Sequence, residues 1–464
     1  MSDIHRHAHV AARVKSLIIR PAFLPSSEEA DEPPSTMTKL LNTSWAFFKG
    51  KDMRKAMGAL RNYANDDSFV ILTLALNAFR QCRNLRKVKI ILHDLAVTPA
   101  FVTFLMSLLE SDAIGPQLED LSIDATVFKM SPLLRALAET TNHLTSLATV
   151  NIHLAISRFS ATTTNVEECI DSIHDFYMVV RNQMTDLVLS VDTPYNISKF
   201  FGNCPTLPKL QKVTIVCPFK ESILTSMSPL SHFLRLHSST LLDLTIVPYS
   251  LHPTIHHPTG IYSSWLRPER DLSLFKLSFP ALRKLDFTLL DSDSATWPHT
   301  KKLSLGSLAP CLTELAIKNA CLSDSGLNII VDGLPKVDGV RTLTSLSVFM
   351  HGPTPLIFDN LSRRLPRLKS LTIQVSGTFF YTPEVRMHLD HQTQPGSLAL
   401  NSPQHIVSFS SRRYTDWGLR YLRITRSRYD CGIPHPCIVD MEIVAKAFSS
   451  DLVLDKQYPC YCLR

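Results

Sequence analysis

The densest run of residues able to recognise a charged partner is RRYTDWGLRYLRITRSRY, from Arg412 to Tyr429. Six arginines and four aromatics fall within eighteen residues, against one acid, Asp416. Guanidinium forks pair bidentately with carboxylate and phosphate. Arg412, Arg413, Arg420, Arg423, Arg426 and Arg428, with Trp417 and Tyr421 as aromatic anchors, therefore suit an acidic or phosphorylated protein segment. The competing reading is a terminal repeat whose arginines are solvated and whose aromatics cover the end of a core. Both stand at this point.

Two other groups have metal-ligand chemistry. His252, His256 and His257 share one loop, but three imidazoles without a fourth ligand or a fixed scaffold point to a solvated loop. Cys431, Cys437, Cys460 and Cys462, with His435 nearby, offer the thiolates zinc prefers. Their C-x5-C and C-x-C spacings depart from the usual zinc knuckle, so free thiols are the expectation. No metal and no cofactor is expected. The phosphate-cradling phrases GxxxxGK[ST] and GxGxxG are absent, only 14 glycines occur, and there is no GxSxG, so catalysis is not expected either. Basic residues form no continuous stripe or reader module, which argues against nucleic acid.

Composition agrees with an ordered, core-forming and mildly basic protein. Of 464 residues 45% are apolar, and the net charge is a modest +7. No apolar run approaches the roughly 18–20 residues a membrane span needs, and MSDIHRHAHVAARVKSLIIRP lacks a signal-type apolar stretch. Ten widely spaced cysteines do not make a disulfide framework. The expectation is a cytoplasmic or nuclear protein that engages no membrane.

The elements that must position these residues follow from a phrase that returns twelve times: apolar, two mostly polar residues, Leu or Val, a variable residue, then an aliphatic or Phe. It reads VKSLII at Val14, LRKVKI at Leu85, LEDLSI at Leu118, LATVNI at Leu147, MTDLVL at Met184 and LQKVTI at Leu210. It continues as LLDLTI at Leu241, LRKLDF at Leu282, LTELAI at Leu312, LTSLSV at Leu343, LKSLTI at Leu368 and LRYLRI at Leu419. Alternating apolar and polar residues predict half-buried strands. The first, fourth and sixth residues of each phrase should face a core. The third and fifth should face outward: Lys87 and Lys89, Asp120 and Ser122, Thr149 and Asn151, and so on to Tyr421 and Arg423.

Between phrases the period becomes helical. Phe101, Phe104, Leu105, Leu108 and Leu109 form one stripe. Val166, Cys169, Ile170, Ile173, Phe176 and Tyr177 form another, and Leu327, Ile330, Val331 and Leu334 a third. Pro99, Pro132 and Pro229 should sit near helix starts, and helical stretches are expected over 52–64 and 68–82. Strand then helix, repeated at a fixed phrase, is the mark of a solenoid. Repeat spacing is irregular, as the steps Leu343 to Leu368 and Leu368 to Leu419 show. Insertions are expected at 25–35, 248–268 and 377–417.

The phrase resembles the leucine-rich repeat from Val14 to Ile424. The clearest unit, LTELAIKNACLSDSGLNIIVDGL from Leu312 to Leu334, is similar to the cysteine-containing subclass, with Leu312, Leu315 and Ile317 in the core, Cys321 near the turn and LSDSGL opening the helix. The loose spacing and Pro-rich turns resemble the fungal family of F-box and leucine-rich-repeat proteins. HVAARVKSLIIR is similar to the first strand that follows the F-box and linker in that family. The F-box is not visible; LPSSEEADEPP at Leu24 matches its opening poorly.

The resemblance implies an α/β leucine-rich-repeat solenoid, or horseshoe, with parallel strands on the concave face and helices on the convex face. It would form a single domain over 1–464: first strand and acidic loop to 36, repeats over 37–424, and a cap over 425–464. The implied function is a non-catalytic protein-binding scaffold resembling the substrate-recognition part of a Skp–cullin–F-box ubiquitin ligase. Skp and cullin subunits would join only through an F-box supplied elsewhere. The alternative is a free-standing leucine-rich-repeat regulator or inhibitor of another enzyme.

Overall fold

A computed structural model describes residues 11–21, 67–93, 97–156, 163–192, 195–248, 260–267, 270–288, 304–350, 355–375, 412–426 and 453–454. The chain divides into two compact units, Met1–Thr240 and Leu241–Arg464.

In the first unit six strands lie side by side in sequence order: β1 Ser16–Ile19, β2 Lys87–Ile91, β3 Asp120–Thr126, β4 Thr149–Ala155, β5 Asp186–Val191 and β6 Lys212–Cys217. All neighbours are parallel, and the phrases align without slippage: Val88, Leu121, Val150, Leu187 and Val213 form one cross-strand row. Ile90, Ile123, Ile152, Leu189 and Ile215 form the next. Every member of both rows is buried. A one-residue slip would turn the whole row to the other face, so this burial fixes the register.

The first residue of the phrase is equally buried, as Leu85, Leu118, Leu147, Met184 and Leu210 show. The first repeat is less covered, its inward Val14 and Leu17 being only half-buried.

A second regularity belongs to the backbone. The carbonyl of the residue after each phrase start accepts two N–H groups from the next repeat. Arg86 O accepts from Glu119 and Asp120, Glu119 O from Ala148 and Thr149, and Ala148 O from Thr185 and Asp186. This ladder needs no particular side chain, so the polar positions of the phrase are free to vary.

Helices return the chain between strands: α1 Asp67–Phe79, α2 Pro99–Leu109, α3 Val127–Glu139, α4 Thr163–Val180, α5 Ser198–Asn203 and α6 Ser228–Leu236. Their predicted stripes are buried, from Phe101 to Leu109 and from Val166 to Tyr177. Thr98 caps α2 by accepting the Phe101 N–H, with Pro99 in the first turn. Ser131 and Ser172 link α3 to α4 by a buried hydroxyl pair at 2.8 Å. One expectation fails: Pro132 lies inside α3 rather than near its start. Gly115 is required by close approach, since a Cβ there would lie 2.1 Å from the Leu109 carbonyl oxygen. The predicted helix over 52–64 lies outside the described residues, whereas α1 covers most of 68–82.

The second unit repeats the plan with β7 Asp243–Pro248, β8 Lys284–Thr288, β9 Glu314–Leu322, β12 Ser345–Met350, β13 Ser370–Val375, β14 Tyr421–Arg426 and β15 Val453–Leu454, all parallel. Leu244, Leu285, Leu315, Leu346, Leu371 and Leu422 form the buried row. Between β9 and β12 the chain makes α9 Asp324–Gly333, preceded by short α7 Gly260–Trp265 and α8 Leu305–Leu308; α10 Pro355–Arg364 follows β12. Ser323 caps α9 by accepting the Gly326 N–H at 3.1 Å, as the LSDSGL phrase implied.

Strands β10 Lys336–Val337 and β11 Val340–Arg341 form an antiparallel hairpin. Its turn residues, Asp338 and Gly339, have φ of 53° and 77°, the left-handed pair that two-residue hairpins favour.

The parallel rows, buried phrase positions and returning helices make the chain an α/β leucine-rich-repeat solenoid. No helix among the described residues is long and apolar enough to cross a membrane.

Candidate functional site on the open sheet face

The side chains between the buried rows project from the sheet face away from the helices. Most are half-buried, because each is flanked by neighbours about 4.8 Å away on adjacent strands, whereas Lys87 and Lys89 near the start of the sheet are exposed. Opposite charges meet across the strands: Lys87 with Asp120 at 3.4 Å, Lys284 with Asp243 at 3.2 Å, and Lys318 with Asp286 at 2.7 Å. Asp286 is only 9% exposed, deeper than its outward position implies. Much of the mixed-sign face predicted from sequence is therefore paired within the chain.

In the first unit this face carries a cluster that the phrase does not reach. The strands β3 and β4 run three residues beyond the phrase, so Asp124 and His153 continue its outward parity and stand opposite one another in register. Asp124 also stands opposite Ile91 of β2, and His93, two residues further on, lies on the same face. His93 Nε2 hydrogen-bonds Asp124 Oδ1, and His153 Nδ1 lies 2.8 Å from the same oxygen. His153 Nε2 reaches Asp192 Oδ2, just after β5, at 2.8 Å. The four residues make one continuous chain, His93–Asp124–His153–Asp192.

Beneath it, the buried Lys129 side chain of α3 donates to the Leu92 and His93 carbonyls at 3.2 and 2.9 Å. This fixes the main chain where it turns out of β2.

Burial pushes the Asp124 carboxyl up, but the hydrogen bonds from His153 and His93 outweigh it and hold the group below its ordinary value. His153 is pushed up to about 9, first by its hydrogen bond to Asp124 and then by that to Asp192. Its exposed edge remains open to solvent, with a quarter of the side chain accessible. Two imidazoles and two carboxylates at these separations can bind a cation or trap a proton.

The arginine–aromatic segment is split by its environment. The Arg412 Nε lies 3.0 Å from Asp359 Oδ2, and Tyr414 OH donates to Asp359 Oδ1 at 2.6 Å. Trp417 is buried and its Nε1–H donates to the Leu365 carbonyl at 3.0 Å. Burial and then the Asp359 hydrogen bond push the Tyr414 hydroxyl well above its ordinary value. Arg412, Tyr414 and Trp417 thus tie the segment to α10.

Arg413 and Arg420 are exposed, and Tyr421 and Arg423 are half-buried on the open face of β14. Arg426 ends β14. Arg428, the loop histidines His252, His256 and His257, and the group Cys431, Cys437, Cys460, Cys462 and His435 lie outside the described residues.

His93, Asp124, His153 and Asp192 were legible in one respect. Continuing the outward alternation past the sixth residue of LEDLSI and LATVNI lands on Asp124 and His153. The same step taken twice past LRKVKI and MTDLVL lands on His93 and Asp192.

No protein-family model and no curated protein matches the chain. Similar solved structures include a protein from Bacteroides fragilis, at 12% identity over 69% of this chain and 72% of that one, TM-score 0.29. An internalin from Listeria monocytogenes is 11% identical over 82% of this chain and 83% of its own, TM-score 0.27. TLR13 in its complex with ssRNA13 is 11% identical over 74% of this chain but 46% of its own length, TM-score 0.27.

Proposed function

We propose that this chain is a non-catalytic scaffold that binds another protein through the open faces of its sheets. The observation that carries the reading is the in-register display of polar side chains across successive strands, from Lys87 to Lys212 in one unit and from Asp243 to Tyr421 in the other. The buried rows and the backbone ladder hold the fold without them. Their variation is therefore available for recognition, which is how stacked-repeat surfaces work.

The preferred anchor is the terminal patch. Arg413, Arg420, Tyr421 and Arg423 present guanidinium and aromatic groups beside a segment already fastened by Arg412 and Trp417, and so partly pre-organised. An acidic or phosphorylated protein segment is the chemistry that fits.

The resemblance to F-box proteins makes the bound protein a substrate for ubiquitin transfer, with Skp and cullin subunits recruited by an F-box supplied elsewhere. Affinity purification followed by mass spectrometry tests both levels. Arg420→Glu with Arg423→Glu should remove the bound partner, and unchanged capture would refute docking at this patch. Absence of Skp and cullin subunits from the wild-type purification would reduce the reading to a scaffold alone.

A further inference from the structure

We propose that His93, Asp124 and His153 form a binding site for a divalent transition metal of the zinc class, with Asp192 orienting His153 from behind. This inference stands independently of the scaffold reading.

β3 and β4 bring Asp124 and His153 to the same level of one face. His93 reaches them from the second residue past β2, and the donor atoms of all three lie within 4.8 Å of one another. His93 and His153 both approach a single oxygen, Asp124 Oδ1. Such convergence of two imidazole nitrogens and a carboxylate on one point is what a tetrahedral ion collects. Ligands about 2.0–2.1 Å from zinc stand roughly 3.3 Å apart, so the 2.8 Å His153–Asp124 contact must open by about half an ångström and the closer His93–Asp124 contact by more.

The donor set selects the metal. Imidazole nitrogen favours zinc and its transition-metal neighbours, whereas magnesium and calcium take oxygen ligands. Three protein ligands leave a fourth position for water or a partner's side chain. The exposure of His93 (38%) and His153 (25%) leaves that position facing solvent.

The surroundings supply the supports a metal site uses. Asp192 accepts from His153 Nε2 at 2.8 Å, an arrangement that fixes the ring with Nδ1 turned toward Asp124, where it can ligate. Lys129 clamps the His93 main chain through two carbonyls. On binding, the dication replaces the protons now shared between the imidazoles and Asp124, and those protons pass to solvent.

The test uses the full-length protein after chelator treatment, titrated with Zn2+ and, for its visible spectrum, with Co2+. We expect one equivalent bound with a tetrahedral cobalt spectrum lacking the thiolate charge-transfer band, which separates this site from the cysteines. We also expect a rise in melting temperature with Zn2+ and none with Mg2+. His93→Ala with His153→Ala should abolish that equivalent, and Asp192→Asn should weaken it about 10–100-fold. Failure of the wild type to take up the thiolate-free equivalent overturns the proposal whether or not the variants fold. Retention of it by a folded double variant does the same.

Discussion

The sharpest pH prediction concerns His237, at the C-terminal end of α6 and only 1% exposed. Its Nε2 accepts the Leu207 N–H at 3.0 Å, while Nδ1 faces the Phe233 carbonyl at 2.9 Å. That pair of contacts assigns the neutral ring with its proton on Nδ1. Protonation of Nε2 would set two donors against each other and place a charge in the core. Burial accordingly lowers the His237 pKa, against a smaller opposing effect of the Phe233 hydrogen bond.

The sign follows from linkage. The unfolded chain takes up a proton near the ordinary value of 6.5, whereas the folded chain resists until lower pH. Stability is therefore intact above 6.5, falls as pH drops below it, and levels off once the folded ring also protonates. Between about pH 7.5 and about pH 5.5 one such histidine can remove at most about 1.4 kcal/mol.

The assay is urea unfolding at the two pH values for wild type and His237→Gln. Gln keeps a donor and an acceptor but cannot titrate. The variant loses packing and is less stable at both, but its stability should fall less with acid, by up to that amount. His174, whose pKa burial also lowers, titrates in both proteins and cancels in the comparison. Equal acid sensitivity in the two proteins would refute the assignment of a neutral, hydrogen-bonded His237.

Two further outcomes test the inside–outside phase and the terminal anchoring. Leu315→Asp places an unpaired carboxylate in a core position 2% exposed and should cost about 3 kcal/mol or more, whereas Ser345→Asp on the open face should change stability by less than about 0.5 kcal/mol; equal losses in thermal melts would mean the phase is wrong. Tyr414→Phe removes the 2.6 Å hydrogen bond to Asp359 and should cost about 2 kcal/mol, read as faster proteolysis around residues 412–426; unchanged proteolysis would mean that Arg412 and Trp417 suffice to hold the segment.

The phrase carried the fold because its buried positions are set by register alone. Leu121, Val150 and Leu187 stack at 0% exposure, as their places in LEDLSI, LATVNI and MTDLVL required. The stripes at Phe101, Val166 and Leu327 were legible for the same reason, since periodicity reports burial directly. Pro132 was misplaced because a helix start is a local feature, and the first turn of α3 is formed by Val127 to Met130 as β3 ends. The Asp338–Gly339 hairpin was written in the sequence as VDGV but is too short to register as alternation. The His–Asp cluster was missed for a different reason. It depends on which residues follow the phrase and on which strands lie side by side, and neither is set by residues 118–123 or 147–152.

The register also explains why chemistry collects where it does. Each buried Leu or Ile in the rows is worth about 1.5–3 kcal/mol relative to exposure, and the carbonyl ladder is made by backbone atoms. A half-exposed charge pair such as Lys87–Asp120 contributes about 0–1 kcal/mol. Selection for stability therefore acts strongly on one parity of each strand and weakly on the other. The third and fifth positions of the phrase offer two open-face side chains per repeat, and several of these pair across the sheet. The residue after each phrase adds a third, and on β3 and β4 Asp124 and His153 occupy it at the same level. The remaining members of the cluster, His93 and Asp192, are the second residue after β2 and the first after β5. The repeat thus builds a site by placing His and Asp at open-face positions past the phrase, with no change to its core.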